Sequence, residues 1–191
     1  NPPKDNGYKV YWSDGAQIIP PHDSEISAHI DALPISCPFS SLLDLNNDSG
    51  FEVVSAELMN SYLSAVQDLR FRKRRSSQLK IVYTPMHGVG AKWVEKSLLK
   101  AGHSSYTVAE QREPDGLFPT VSFPNPEEPG ALDLAFSLGN RVKADLILAN
   151  DPDADRLAVS IPSKDGFTNL TGDQVGFLFA EYLLGHWSKD K

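Results

Sequence analysis

Cysteine is almost missing from this sequence: Cys37 is the only one in 191 residues. A single thiol can form no internal disulfide and no cysteine-rich metal centre. It fits a reducing, cytoplasmic compartment. Positive charge is scarce too, with 18 Lys and Arg against 25 Asp and Glu and a net charge of −7. That balance argues against broad binding to a nucleic-acid backbone, which needs a basic surface. It leaves an anionic small-molecule substrate open, because local and net charge differ. No apolar run reaches the ~18 residues of a membrane span, so no membrane partner is expected. No signal-peptide pattern is visible. The sequence also lacks an initiator Met; it opens Asn1-Pro2-Pro3-Lys4-Asp5-Asn6-Gly7, in turn-type residues. It stops just after a helical pattern, and is expected to be a piece of a longer chain.

What is present is ordinary globular material. Hydrophobic residues make up 40% and charged residues 23%. That suffices for a real core in one or two domains. Tyr8-Lys9-Val10-Tyr11-Trp12 alternates like a strand, Ser13-Asp14-Gly15 is a turn, and a second short strand covers 16–19. Pro and Asp then open a helix over 23–32. Residues 34–52 carry little pattern and read as a linker. From Ser55 the period is helical, with Leu58, Tyr62, Ala65, Val66 and Leu69 on one face.

Residues 79–149 alternate strand, helix, strand, helix, strand. Strands fall at 79–84, 105–109 and 145–149, and helices at 89–101 and 129–142. Gly102 caps the first of these helices. The third strand is nearly all apolar, as in a parallel sheet buried on both faces. The pattern implies an α/β class: a mixed, largely parallel sheet with flanking helices. A strand at 157–161, the start of another at 168–170 and a helix over 172–185 complete the pass.

The strongest chemical signal is Asn150-Asp151-Pro152-Asp153-Ala154-Asp155-Arg156. Asp151, Asp153 and Asp155 alternate directly after a buried strand. In an extended loop every second side chain points the same way, so the three can converge. Clustered carboxylates repel, and a hard cation such as Mg²⁺ removes that cost. The plain alternative is a solvated acidic turn. An EF-hand is excluded: its sixth position would need Gly and its twelfth Glu, and these are Arg156 and Pro162. Arg156 could grip a phosphate oxygen or simply pair with a neighbouring Asp.

Pro85-Met86-His87-Gly88-Val89-Gly90 joins a strand to a helix N-terminus. It is neither a P-loop nor a complete dinucleotide fingerprint, and a turn role is its simplest meaning. His87 as a general base is the sharper alternative. Lys9 alone reads as a solvated lysine, and the basic run 70–75 as a solvated helix end. His22, His29, His103 and His186 have no ligand spacing.

Taken together, these motifs resemble the α-D-phosphohexomutases, and in detail their phosphoglucomutase-2/phosphopentomutase branch, which includes glucose-1,6-bisphosphate synthase. Residues 1–11 look like the tail of that family's catalytic serine loop, and Asp151-Pro152-Asp153-Ala154-Asp155-Arg156 like its metal loop. Pro85 to Gly90, Phe123-Pro124-Asn125-Pro126-Glu127-Glu128-Pro129 and Leu170-Thr171-Gly172-Asp173-Gln174 are further matches. The resemblance covers essentially the whole chain. It implies an intramolecular phosphotransferase that moves a phosphoryl group within glucose or pentose phosphates, through an enzyme phosphoserine and a sugar bisphosphate. It implies Mg²⁺ on Asp151, Asp153 and Asp155, with Arg156 and Lys9 as catalytic cations, and a cytoplasmic, monomeric whole protein. Partners would be glucose 1- or 6-phosphate, ribose or deoxyribose phosphate, and glucose 1,6-bisphosphate. It divides the chain into the end of domain I (1–47), domain II (48–162) and the start of domain III (163–191). The Ser-His pair of the serine loop is absent, so this chain by itself is expected to be inactive. Two other classes compete: a haloacid-dehalogenase-type phosphatase, whose nucleophilic Asp should lie near the start of its domain, and a non-catalytic sugar-phosphate-binding module.

Overall fold

A computed structural model describes Lys4, Gly7, residues 9–34, Ser36, residues 52–71 and residues 78–187. Contacts divide the chain into two compact units, Gly7–Ala56 and the remainder. Cys37 and residues 72–77 lie outside the described residues.

In the smaller unit the chain reverses at Ser13 to Gly15. Trp12 N donates to Ala16 O at 2.9 Å, and Ile18 N to Val10 O at 3.0 Å. Tyr8 lies outside the described residues; among those described, the two expected strands reduce to one bridge between Tyr11 and Gln17. A two-stranded ribbon this short gains too little pairing to extend. Helix α1, His22–Asp31, follows, with the His22 ring stacked 4.3 Å from that of Trp12. Lys9 lies exposed ahead of the turn.

Helix α2, Ala56–Asp68, lies in the larger unit from Glu57 onward. Its inward face differs from the expected one. Leu58, Tyr62 and Leu69 are 62%, 59% and 78% exposed, whereas Leu63 is buried. The inward stripe is Met59, Leu63, Val66 and Gln67, displaced by one residue. The cause is polar. Gln67 Nε2 donates to Ser97 O at 3.1 Å, and Arg70 Nη2 donates to Ala101 O at 3.3 Å. Both satisfy carbonyls at the end of a neighbouring helix, and this fixes the rotation of α2.

That neighbour is α3, Ala91–Lys100, between β1 (Ile81–Thr84) and β2 (Ser105–Thr107). Gly102 ends it at φ 90°, with Gly102 N bonded to Leu99 O and His103 N to Leu98 O. That pair of bonds is a Schellman motif. A short helix not foreseen from the sequence, α4 (Ala109–Arg112), follows β2. Then come α5 (Asp133–Val142), β3 (Leu146–Asn150), β4 (Leu157–Ser163), β5 (Gly166–Asn169) and α6 (Gly172–Trp187). Helix α5 starts four residues later than Pro129. Among the described residues no helix is long and apolar enough to cross a membrane.

The sheet order is β2-β1-β3-β4-β5. β1 pairs in parallel with both β2 and β3, while β4 and β5 are antiparallel additions. The mixed α/β class is therefore as expected. Every residue of β1 is buried. Val82, Val108, Ala135, Ala144 and Ile147 form one core, packed by Leu134, Phe136, Leu138, Val142 and Phe167. A second core of Met86, Ala131, Leu132, Ala149 and Ala158 shares Phe136. The chain leaves β1 toward one edge and returns on its other side as β3. The carboxyl ends of β1 and β3 are thus a topological switch point, the usual place for a ligand in an open α/β sheet.

One ionic tie ties α3 to the β2 edge. Arg112 Nε and Nη2 grip the two Glu95 oxygens at 3.0 and 2.8 Å, and Thr107 Oγ1 donates to the same carboxylate at 2.7 Å. The Arg112 bond holds the Glu95 carboxyl below its usual value of 4.5 against the opposing push of burial. A depressed carboxyl contributes stability above its unfolded pKa and loses it as pH falls through the folded one. Unfolding midpoints followed from neutral pH to below pH 4.5 should therefore fall less steeply for Glu95→Gln than for the parent. Parallel curves would contradict this.

Candidate metal centre

Asn150 is the last residue of β3, and Leu157, the first of β4, is its ladder partner. Residues 151–156 are therefore a hairpin connection at the switch point. The loop is not extended. Ala154 N donates to Asp151 O at 3.0 Å, and Ala154 sits at φ 60°, in the left-handed region. The aspartates thus converge through a tight turn rather than through strand alternation. The outcome matches the expectation although its route does not: oxygens of Asp151, Asp153 and Asp155 lie within 4.8 Å of one another. Asp151 is buried, and Asp153 and Asp155 are exposed.

Arg156 closes the loop onto Asp151. Its backbone N–H donates to Asp151 Oδ1 at 3.0 Å and its Nε to Oδ2 at 2.8 Å. A longer approach of 3.7 Å reaches Asp155 Oδ1. Burial pushes the Asp151 carboxyl up, but the Arg156 backbone bond, side-chain bond and charge outweigh it and hold the carboxyl below its ordinary range. Asp151 is thus ionised at neutral pH. The ion pair weighed for Arg156 exists, but it occupies only Nε. Both Nη atoms make no hydrogen bond among the described residues, and the side chain is 57% exposed. A small recess of about 20 Å³ lies beside it, lined by Asn125, Glu127, Arg156, Asn169 and Gly172 among others.

Loop 85–90 lies directly against the aspartate loop. Val89 N donates to Pro152 O at 2.9 Å, and a Cβ on Gly88 would overlap Pro152 backbone atoms. Met86 and His87 both take left-handed backbone, at φ 48° and 62°. His87 is buried. Its Nε2 meets Thr120 Oγ1 at 2.8 Å, its N–H bonds Gln111 O at 2.9 Å, and its carbonyl accepts from Asp115 N at 3.0 Å. Such a residue is a structural peg, and the simpler meaning of this motif is the one the geometry supports. Lys9 belongs to the smaller unit.

Several residues around the site left no trace in the sequence reading. Gln111 is buried, accepts from Thr84 Oγ1 at 2.6 Å and donates to Thr120 Oγ1 at 2.9 Å. Tyr83 OH donates to Asn150 Oδ1 at 3.1 Å. One missed feature was legible. Thr171-Gly172-Asp173-Gln174 is a capping box at the start of α6, with Thr171 N on Gln174 Oε1 at 2.9 Å and Gln174 N on Thr171 Oγ1 at 3.3 Å.

Comparison with known proteins identifies the family. Residues 60–164 match the family model for phosphoglucomutase/phosphomannomutase, alpha/beta/alpha domain II, and residues 1–34 that for domain I. A probable phosphomannomutase of Haemophilus influenzae is 44% identical over 96% of this chain and 38% of its own length. The phosphopentomutase of Homo sapiens is 41% identical over 99% of this chain and 32% of its own. A crystal structure of a phosphoglucomutase/phosphomannomutase family protein from Burkholderia thailandensis superposes with a TM-score of 0.57 at 26% identity, covering 67% of this chain and 26% of that one. The chain spans about a third of the length of the curated relatives it matches. It belongs to the phosphoglucomutase/phosphomannomutase family of α-D-phosphohexomutases, on the branch that contains phosphopentomutase and glucose 1,6-bisphosphate synthase.

Proposed function

We propose that this chain carries the cation-holding part of a phosphosugar mutase. The observation that carries the reading is the convergence of three carboxylates within 4.8 Å, at the carboxyl end of β3, beside a partly exposed guanidinium. An all-oxygen donor set suits Mg²⁺ and disfavours soft metals, which prefer nitrogen and sulfur. Asp151, Asp153 and Asp155 would hold the ion. Once bound, it would polarise a phosphoryl oxygen and offset its charge.

The rest falls to the protein's own groups. Asp151 is kept ionised by Arg156 and is ready to ligate at neutral pH. Arg156 would turn its two Nη atoms, which make no hydrogen bond among the described residues, toward the equatorial oxygens of the transferring phosphoryl group, a fork that matches such oxygens well. Lys9 is the second proposed cation for that group. The reaction moves a phosphoryl group from a phosphoserine to a sugar monophosphate and recovers it from the other position of the bisphosphate. No Ser-His pair occurs in the 191 residues, so the phosphoryl donor must come from outside this chain. Substrates would be phosphorylated monosaccharides: glucose 1- or 6-phosphate, a pentose phosphate, or glucose 1,6-bisphosphate. The proposed domains are 1–47, 48–162 and 163–191, in a whole protein that is monomeric and cytoplasmic.

The test is a Mn²⁺ titration of the ¹⁵N-labelled chain, run beside an assay of glucose 1-phosphate conversion. Paramagnetic broadening should centre on residues 151–156 at weak affinity. Asp153→Asn should weaken it by about tenfold or more. The chain alone should give no turnover. Broadening centred elsewhere would refute the cation reading, and substantial turnover would refute an external phosphoryl donor.

A further inference from the structure

We propose that Asn150 is a positioning residue that, with the Tyr83 hydroxyl behind it, fixes the mouth of the aspartate loop. The inference rests on the reading of Asp151, Asp153 and Asp155 as cation ligands.

Asn150 is 8% exposed and directly precedes Asp151. Its Nδ2 donates across the loop to Arg156 O at 2.5 Å, and its Oδ1 accepts from Tyr83 OH at 3.1 Å. Asp151 Oδ1 meanwhile accepts from Arg156 N at 3.0 Å. Both backbone polar groups of Arg156 are therefore gripped by two consecutive side chains at the other end of the loop. The Asn150–Leu157 pair is the last rung of the β3/β4 ladder, so the carboxamide carries closure one step past the point where strand pairing stops. The loop cannot widen without breaking these bonds. Widening would separate Asp155 and the guanidinium from Asp151.

Tyr83 makes the pin durable. It is fully buried on β1, the parallel neighbour of β3. Burial pushes its hydroxyl well above the usual phenol range, so it remains a donor at any working pH. Its bond fixes which way the carboxamide faces, Oδ1 inward and Nδ2 toward Arg156. A carboxylate at position 150 would lose the donor and add a fourth negative charge. A serine would not reach across. Groups that orient metal ligands in this way tune affinity although they never touch the ion.

The test uses the ¹⁵N-labelled chain with Asn150→Leu, which keeps the volume and removes both bonds, and Tyr83→Phe, which removes one oxygen. Amide exchange at residues 153–156 should quicken by about tenfold in Asn150→Leu and about fivefold in Tyr83→Phe, the worth of one neutral hydrogen bond. Exchange in β1 and β3 should stay as in the parent. Mn²⁺ affinity at the loop should fall in the same order, and the double variant should be no worse than Asn150→Leu, because the hydroxyl acts through the carboxamide. Unchanged loop exchange, or exchange that rises uniformly across the sheet, overturns the proposal. Should Asn150→Leu not fold, Tyr83→Phe decides the same question. An error in the cation reading would look different: the parent would show no Mn²⁺ broadening at the loop, while the exchange data would still decide on the pin.

Discussion

Gly88→Ala should cost about 3 kcal/mol or more, the upper end for an overpacked site, and should shift the urea unfolding midpoint accordingly. Loop 85–90 passes so close to the aspartate loop that an added Cβ would fall on the Cα, carbonyl carbon and oxygen of Pro152. A clash with a side chain can be relieved by a rotamer change. A clash with backbone cannot, and here that backbone also accepts the bond from Val89 N at 2.9 Å. Either loop must move, and the one that moves carries Asp151 or His87 with it. Gly116→Ala is the control. Nothing lies within 4 Å of its added Cβ, so its effect should stay within about 0.5 kcal/mol. Equal midpoints for the two variants would show that the loops do not touch as described.

Gln111→Leu should also be damaging, at about 1–3 kcal/mol, because it leaves the buried Thr84 hydroxyl without its acceptor. Gln111 lies between Thr84 and Thr120, accepting from one and donating to the other. Thr84 Oγ1 also accepts from Met86 N at 3.0 Å, and Thr120 Oγ1 contacts His87 Nε2 at 2.8 Å. The amide thus underlies the left-handed Met86–His87 pair that brings Gly88 to Pro152. Urea unfolding would measure the loss. Amide shifts in residues 86–90 would separate local collapse from general weakening. A cost below about 1 kcal/mol, the worth of one ordinary hydrogen bond, would mean that water replaces the amide without penalty.

How much of this could be read from the sequence depended on distance along the chain. The aspartate loop was legible because its three carboxylates are adjacent and follow an apolar strand. The succession of elements along the chain was legible because β1, α3, β2, α5 and β3 each show their own period. The supporting groups were not. Thr84 and Gln111 are 27 residues apart, and Tyr83 and Asn150 are 67 apart. No local pattern connects such pairs. Gln111 and Asn150 look like surface residues until the sheet brings them under the loops. The helix face of α2 failed for a related reason. Its apolar residues support two overlapping stripes, and the choice was made by Gln67 and Arg70 reaching the end of α3. The aspartate loop was also taken as extended, because nothing in Asp153-Ala154-Asp155 announces left-handed backbone at an alanine.

The switch point also bears on when the site can form. β1 and β3 are neighbours in space, but α3, β2, α4 and α5 lie between them in the chain. A chain that has completed β1, α3 and β2 already owns loop 85–90, but Pro152 and Asn150 have nowhere to dock until residues 146–149 settle beside 81–84. Closing that long connection is slow compared with forming any one helix. Loop 85–90 and the aspartate loop are therefore put in register by the same late event that completes the parallel sheet. Before that event, the three carboxylates sit on an unanchored segment with no arginine clamp and no pin.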